Sequence, residues 1–168
     1  LLALDIGGGS TEFILSRPGL SPVVRSIDIG VVRLSERILH HDPPTGEEIC
    51  QAREWVARET KSAVAVMGNS QPATFVGTAG TITSLAAMAQ KLPSYEPARI
   101  QNYQLQLSTI QELEQTLLSR KKADRAGLPG LEKGREEVIA AGAIFIRTIM
   151  ETLGMSGVLV SDLGLREG

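Results

Sequence analysis

Cysteine is almost absent: Cys50 stands alone in a chain of 168 residues. That excludes a disulfide framework and a cysteine-built zinc site, and it fits a reducing compartment. Cys50 itself reads as a small buried apolar residue. Histidine is nearly as scarce. His40 and His41 are adjacent, and sequence neighbours cannot easily ligate one metal together. Aromatic residues make up 4% of the chain, and the single tryptophan, Trp55, reads as helix packing rather than a base-stacking platform. No apolar run approaches the ~20 residues of a membrane-crossing helix. The longest candidate, Val138 to Ile146, is interrupted by Gly142 and ended by Arg147. Neither sign of charge dominates: 17 Lys and Arg stand against 19 Asp and Glu, a net of -2. General nucleic-acid or membrane-surface binding is therefore disfavoured. The opening residues lack the basic start of a signal peptide, so a cytoplasmic location is expected. The first residue is Leu1 rather than Met, and it falls inside what reads as a strand. The chain is expected to be a piece of a longer protein.

What the chain does have is 42% apolar residues against 21% charged, the composition of one ordinary globular domain. The segments 1–6, 12–16 and 23–29 read as strands, separated by a glycine cluster and by Arg17-Pro18-Gly19. Thr45-Gly46-Glu47-Glu48 is a capping box. Behind it, Ile49, Ala52, Val56, Ala63 and Met67 form a helical stripe that stops near Gly68. A strand at 73–76 leads through Gly77-Thr78-Ala79-Gly80 into a helix over 81–90. Residues 103–107 alternate as an edge strand does, and Ser108-x-x-Gln111 offers a second capping box. Arg120, Lys121, Lys122 and Arg125 read as a solvated helix end. The strongest helix runs from Val138 to Leu153, capped by Gly154, before a last strand at 158–160. Three strands followed by alternating helices and strands define an α/β domain with a mixed sheet. That order is the one found in ribonuclease-H-like and actin-like domains.

Asp5-Ile6-Gly7-Gly8-Gly9-Ser10-Thr11-Glu12 is the most informative segment. Successive glycines let backbone approach a ligand closely, and their amides can form a nest for an anion. The hydroxyls of Ser10 and Thr11 add donors. Asp5 and Glu12 flank the loop as hard oxygen ligands able to hold Mg²⁺, or a water on it, against a bound phosphate. Gly77, Thr78, Ala79, Gly80 and Thr81 form a second strand-to-helix junction, where a helix N-terminus favours an anion. Arg33 and Arg166 are candidate phosphate clamps. Asp162, after the last strand, would complete a three-carboxylate metal site with Asp5 and Glu12 in a nuclease, although a turn residue is the plainer reading.

These motifs, with Gly30-Val31-Val32-Arg33-Leu34, Arg135-Glu136-Glu137-Val138-Ile139-Ala140-Ala141-Gly142 and Val160-Ser161-Asp162-Leu163-Gly164-Leu165-Arg166-Glu167-Gly168, occur in one order along the chain. The pattern resembles the exopolyphosphatase / guanosine pentaphosphate phosphatase family. That family belongs to the sugar kinase and actin superfamily, with two ribonuclease-H-like domains around a cleft, and this chain resembles the second of the two. The resemblance implies Mg²⁺-dependent removal of terminal phosphate from polyphosphate or from guanosine pentaphosphate. Gly7 to Thr11 take the place of the phosphate loop, and Asp5 and Glu12 that of the acids ordering metal and water. Gly77 to Thr81 take the place of the loop that approaches the nucleoside in nucleotide-binding relatives. The family usually carries Arg-Ala-Asp where this chain has Arg135-Glu136-Glu137, which keeps the third position acidic. Its general base and other phosphate loop lie in the first domain, so the present chain alone is expected to be inactive. The first domain of the same parent is an implied partner, and homodimerisation is left open. The alternatives are a ribonuclease-H-type nuclease, a nucleotide-dependent half domain and a non-catalytic guanosine tetra- or pentaphosphate sensor.

Overall fold

The computed structural model describes residues 1–68 and 72–164. The opening meander is β1 (Leu2–Ile6), β2 (Thr11–Leu15) and β3 (Val23–Ile27), followed by two helices, α1 (Val31–Arg37) and α2 (Gly46–Met67). Next come β4 (Phe75–Thr78), α3 (Gly80–Ala89), α4 (Pro97–Ile100), β5 (Gln104–Gln106) and α5 (Leu107–Leu118). The described chain closes with α6 (Lys122–Arg125), α7 (Ile139–Leu153) and β6 (Gly157–Val160). The sheet order is β3-β2-β1-β4-β6-β5. β1, β4 and β6 are parallel neighbours, whereas β2, β3 and β5 run antiparallel to the strands beside them.

Strand alternation sends Leu2, Leu4, Ile6, Phe13, Leu15, Phe75, Val158 and Val160 to one face, where all are buried. The helices lie on that face. A Cβ on Gly77 would fall 2.4 Å from Ile82 of α3, so bare backbone is needed for that close contact. α7 packs against α1, α2, α3 and α5, which explains why it is apolar nearly all round. Gly142 admits Thr81 of α3, whose methyl would lie 2.4 Å from a Cβ there.

The Thr45 capping box forms as expected: Thr45 Oγ1 accepts from the Glu48 amide, and Glu48 accepts from the Thr45 amide at 2.8 Å. Gly154 closes α7 at φ 68°. The second box does not form. α5 begins two residues earlier, with Gln106 rather than Ser108 as its N-cap; its Leu107 amide donates to Ser156 O, and Gln111 reaches across to Glu151 of α7. Cys50 is exposed on α2, a correction to its buried reading. Arg125 is also corrected, because it is buried rather than solvated. Its Nε donates to Leu117 O and its Nη1 to Glu136 O, with Asp42 as ion-pair partner at 3.7 Å. A cluster around the buried Glu114 carboxylate ties three helices together. Glu114 of α5 is clamped at both oxygens by Arg53 of α2 and also takes Arg147 of α7.

Candidate functional site

The C-terminal ends of β1, β4 and β6 lie side by side, the edge where ligands of open α/β sheets collect. Asp5 is the register partner of Glu12 on one side and of Thr78 on the other. The two acids therefore stand next to each other on one face, at the mouth of the glycine loop. Glu12 Oε1 accepts from the hydroxyls of Ser10 at 2.8 Å and Ser26 at 2.9 Å. These bonds orient the carboxylate.

The loop owes its shape to a helix that the sequence reading did not separate out. α1 is only seven residues long and its N-cap, Gly30, offers no side chain. Its first amides are capped by the loop instead. Val31 N donates to Gly7 O at 3.1 Å, and Val32 N and Arg33 N donate to Gly8 O at 2.9 and 3.1 Å. Gly30 lies so close that a Cβ would fall 2.4 Å from Gly7 O. The carbonyls of Gly7 and Gly8 are thus held toward α1. Gly7 N closes the turn onto Ser10 O. Among the described residues, the exposed amides of Gly8 and Gly9 have no hydrogen-bond acceptor. Exposed amides beside carbonyls held onto a helix are the arrangement from which an anion nest can be built.

Arg33 stands where a clamp would. Its Nη1 is anchored on Asp28, donating to the backbone oxygen at 2.9 Å and pairing with the carboxylate. Its Nη2 lies 3.7 Å from the Cβ position of Gly9. Arg166 lies outside the described residues. Thr11 is corrected as a ligand donor: it is fully buried and its hydroxyl donates to Ile29 O at 2.8 Å. Ser10 stays at the loop, with its hydroxyl on Glu12.

The second junction is present, but its threonines face inward. Thr78 donates to Leu163 O at 3.0 Å, and Thr81 packs on Gly142. Ala79 caps α3 at φ 74° and ψ 167°, a region that is almost exclusively glycine's and strains other residues. Arg135, not singled out from the sequence, lays its guanidinium directly on Gly80, 2.3 Å from where a Cβ would be. It pairs with Glu132 at 3.1 Å. A cation is therefore seated at the N-terminus of α3. Its place at the head of the motif running from Arg135 to Gly142 could have signalled it.

Asp162 does not join Asp5 and Glu12. Its carboxylate accepts from the Tyr95 hydroxyl and its amide donates to Gln101 Oε1 at 2.8 Å. Burial, reinforced by that carboxylate, pushes the Tyr95 hydroxyl up to about 12. Among the described residues no group of three His, Cys, Asp or Glu suits a metal, so the three-carboxylate nuclease site does not form there. Two adjacent carboxylates still fit Mg²⁺, which commonly takes one or two carboxylates and fills its shell with water and phosphate oxygens. Glu137 is exposed and pairs with Lys122 at 2.8 Å. No described helix is long and apolar enough to cross a membrane.

A one-sided mixed sheet with paired acids beside a glycine loop defines an actin-like, ribonuclease-H-like domain. The chain belongs to the Ppx/GppA phosphatase family, whose model matches residues 1–168. It is 37% identical to Exopolyphosphatase 2 of Mycobacterium tuberculosis over 173 residues, covering 99% of this chain and 53% of that protein. Exopolyphosphatase 1 of Mycobacterium leprae is 31% identical, with 100% and 50% covered. The crystal structure of the Aquifex aeolicus Ppx/GppA phosphatase superposes with a TM-score of 0.90 at 31% identity, covering 99% of this chain and 54% of that one. The chain spans about half the length of the relatives it matches.

Proposed function

We propose that this chain forms one wall of the active site of a phosphatase that removes the terminal phosphate of inorganic polyphosphate or guanosine pentaphosphate. The observation that carries the reading is the arrangement at the glycine loop. The Gly8 and Gly9 amides point outward, the carbonyls are turned back onto α1, and the Asp5–Glu12 pair stands alongside. The Gly8 and Gly9 amides receive the non-bridging oxygens of the phosphoryl group, where charge is carried in the transition state. Arg33 Nη2 adds a cation on the same side. Asp5 and Glu12 would hold Mg²⁺, which supplies charge neutralisation of the phosphate oxygens when bound. Ser10 and Ser26 keep Glu12 turned to that role. Arg135, on the N-terminus of α3, extends the cationic wall toward the next phosphates of a chain or toward a nucleoside polyphosphate.

The reading requires a second wall. The general base and the other phosphate loop are assigned to a first domain of the parent chain, so residues 1–168 alone are expected to turn over polyphosphate negligibly. The test uses the parent protein with Mg²⁺ and offers polyphosphate, guanosine pentaphosphate, ATP and RNA, measuring phosphate release and product identity. Glu12→Ala should reduce phosphate release on the order of 10²-fold or more. Unchanged turnover would remove Glu12 from the mechanism, and RNA cleavage without phosphate release would replace the reading with a nuclease.

A further inference from the structure

Arg135 reaches the N-terminus of α3 from a long arm, residues 119–138, that joins α5 to α7. Within it, residues 126–138 form neither helix nor strand. Gly127, Gly130 and Gly134 lie along it with φ of 83°, 81° and 92°, so the unfolded arm has much backbone freedom to lose. Apolar burial does little to hold it. Between Leu117 and Ile139 the one buried residue is Arg125, at 3% exposure. Leu128 and Leu131 are only half-buried against the core.

A guanidinium is seldom buried unless its donors are used. Here they close the arm. Arg125 Nε donates to Leu117 O, near the end of α5, at 3.0 Å, and Nη1 donates to Glu136 O, beside Arg135, at 3.2 Å. Nη2 faces Asp42 at 3.7 Å. Asp42, from the linker between α1 and α2, also accepts the Lys122 amide on both oxygens at 2.9 Å, and so caps α6. The carbonyl of Arg135 accepts from the Ile139 amide at 3.0 Å. The main chain at Arg135 is thus held by α7 on one side and by Arg125 on the other. Its side chain pairs with Glu132, which travels on the same arm. We propose that Arg125 is a positioning residue for substrate binding, a role that rests on the reading of Arg135 as part of the cationic wall. Its planar fork fixes the Glu136 peptide, and through that peptide it sets Arg135 over Gly80. An apolar residue would fill the same space but leave both carbonyls unpaired. Lysine keeps the charge, yet its single ammonium lacks the fork. A loosened arm misplaces the Arg135 cation and leaves the glycine loop as it was, so the effect falls on binding.

The experiment measures kcat and KM for polyphosphate in the parent protein with Mg²⁺, well below the Tm of each variant. The variants are Arg125→Lys, Arg135→Ala and the two combined. Arg125→Lys should raise KM about threefold or more and change kcat less. Added to Arg135→Ala it should raise KM no further, because the group it positions is gone. Glu114→Ala, at the cluster joining α2, α5 and α7, shows what lost stability alone does, and its KM should stay unchanged. If Arg125→Lys does not fold, Asp42→Ala takes its place, with a KM increase of about twofold or more that likewise vanishes on the Arg135→Ala background. Unchanged KM in the arm variant, with KM raised in Arg135→Ala, would overturn the positioning role and leave the cationic wall standing. Unchanged KM in Arg135→Ala would remove that wall, and the role of Arg125 with it. Equal KM increases from the arm variant and Glu114→Ala, or effects that add in the double variant, would reduce Arg125 to a structural residue.

Discussion

Gly30→Ala isolates the brace between α1 and the glycine loop. Gly30 has an extended backbone, φ -142° and ψ -178°, which alanine adopts freely, so the effect is one of space alone. The added Cβ would lie 2.4 Å from Gly7 O and 2.6 Å from the Gly8 carbonyl, about 1 Å inside ordinary contact. Every atom it meets is backbone, so no side chain can rotate away. The loop and α1 must separate, which strains the three amide-to-carbonyl bonds at 3.1, 2.9 and 3.1 Å. Overpacking of this kind costs roughly 1–3 kcal/mol, and a weakened hydrogen bond about 1 kcal/mol. The expected loss of stability is on the order of 2–4 kcal/mol. Displacing the Gly8 and Gly9 amides by ~1 Å should lower kcat/KM on the order of 10²-fold. Urea unfolding and phosphate release by the parent protein measure both. Gly46→Ala is the control, since nothing lies within 4 Å of a Cβ there. A Gly30→Ala variant within about 0.5 kcal/mol of the parent, with full turnover, would refute the close approach. Lost stability with unchanged turnover would refute the loop's part in binding phosphate.

Glu48 gives a pH signature. Burial alone would raise its pKa, but hydrogen bonds from the His41 ring and from the amides of Thr45, His40 and His41 hold it at about 2, against an ordinary 4.5. A depressed carboxylate stabilises above its unfolded pKa and loses that contribution as pH falls through the folded one. Glu48→Gln should therefore cost roughly 1–3 kcal/mol at neutral pH. The difference should shrink between about pH 4.5 and pH 2, and a pH-independent difference in urea titrations would contradict this. Glu114→Ala leaves Arg53 and Arg147 facing each other without their shared carboxylate. It should destabilise by roughly 3–5 kcal/mol in thermal or urea unfolding. Arg135→Ala removes the cation on Gly80, and should raise KM for polyphosphate roughly tenfold while changing kcat less. An unchanged KM would separate α3 from substrate. Ala79→Gly relieves the strained cap and should leave stability equal or higher by up to about 1 kcal/mol, measured by Tm. A clear loss would show that the alanine Cβ is needed.

Much of the frame was legible in the primary structure because it rests on local chemistry. The meander, the Thr45–Glu48 box, the apolar α7 and its Gly154 cap each depend on residues a few positions apart. The edge strand at β5 was visible in three alternating residues. The acids of the loop were legible as well, since Asp5 and Glu12 border a glycine run short enough to be a hairpin. What escaped was whatever depends on a distant partner. α1 has no capping side chain of its own, because its caps are the carbonyls of Gly7 and Gly8. Ser108 looked like a cap until α7 drew Gln111 away. Arg125 looked solvated in a basic run, and Thr11 looked like a ligand donor, because nothing nearby reveals the oxygens of Leu117, Glu136 and Ile29 that they meet.

The order of residues by itself determined most of the elements, the acid-flanked glycine loop and the family. Hydrophobic period and turn chemistry act over one or two turns of chain, and a motif is a linear object. Tertiary structure alone decided that Asp5 meets Thr78 as well as Glu12, and that Arg33 and Arg135 stand at the two loops while Asp162 turns to Tyr95. The first of these comes from parallel pairing of strands about seventy residues apart. Such pairing is selected by the burial of whole faces rather than by any local signal.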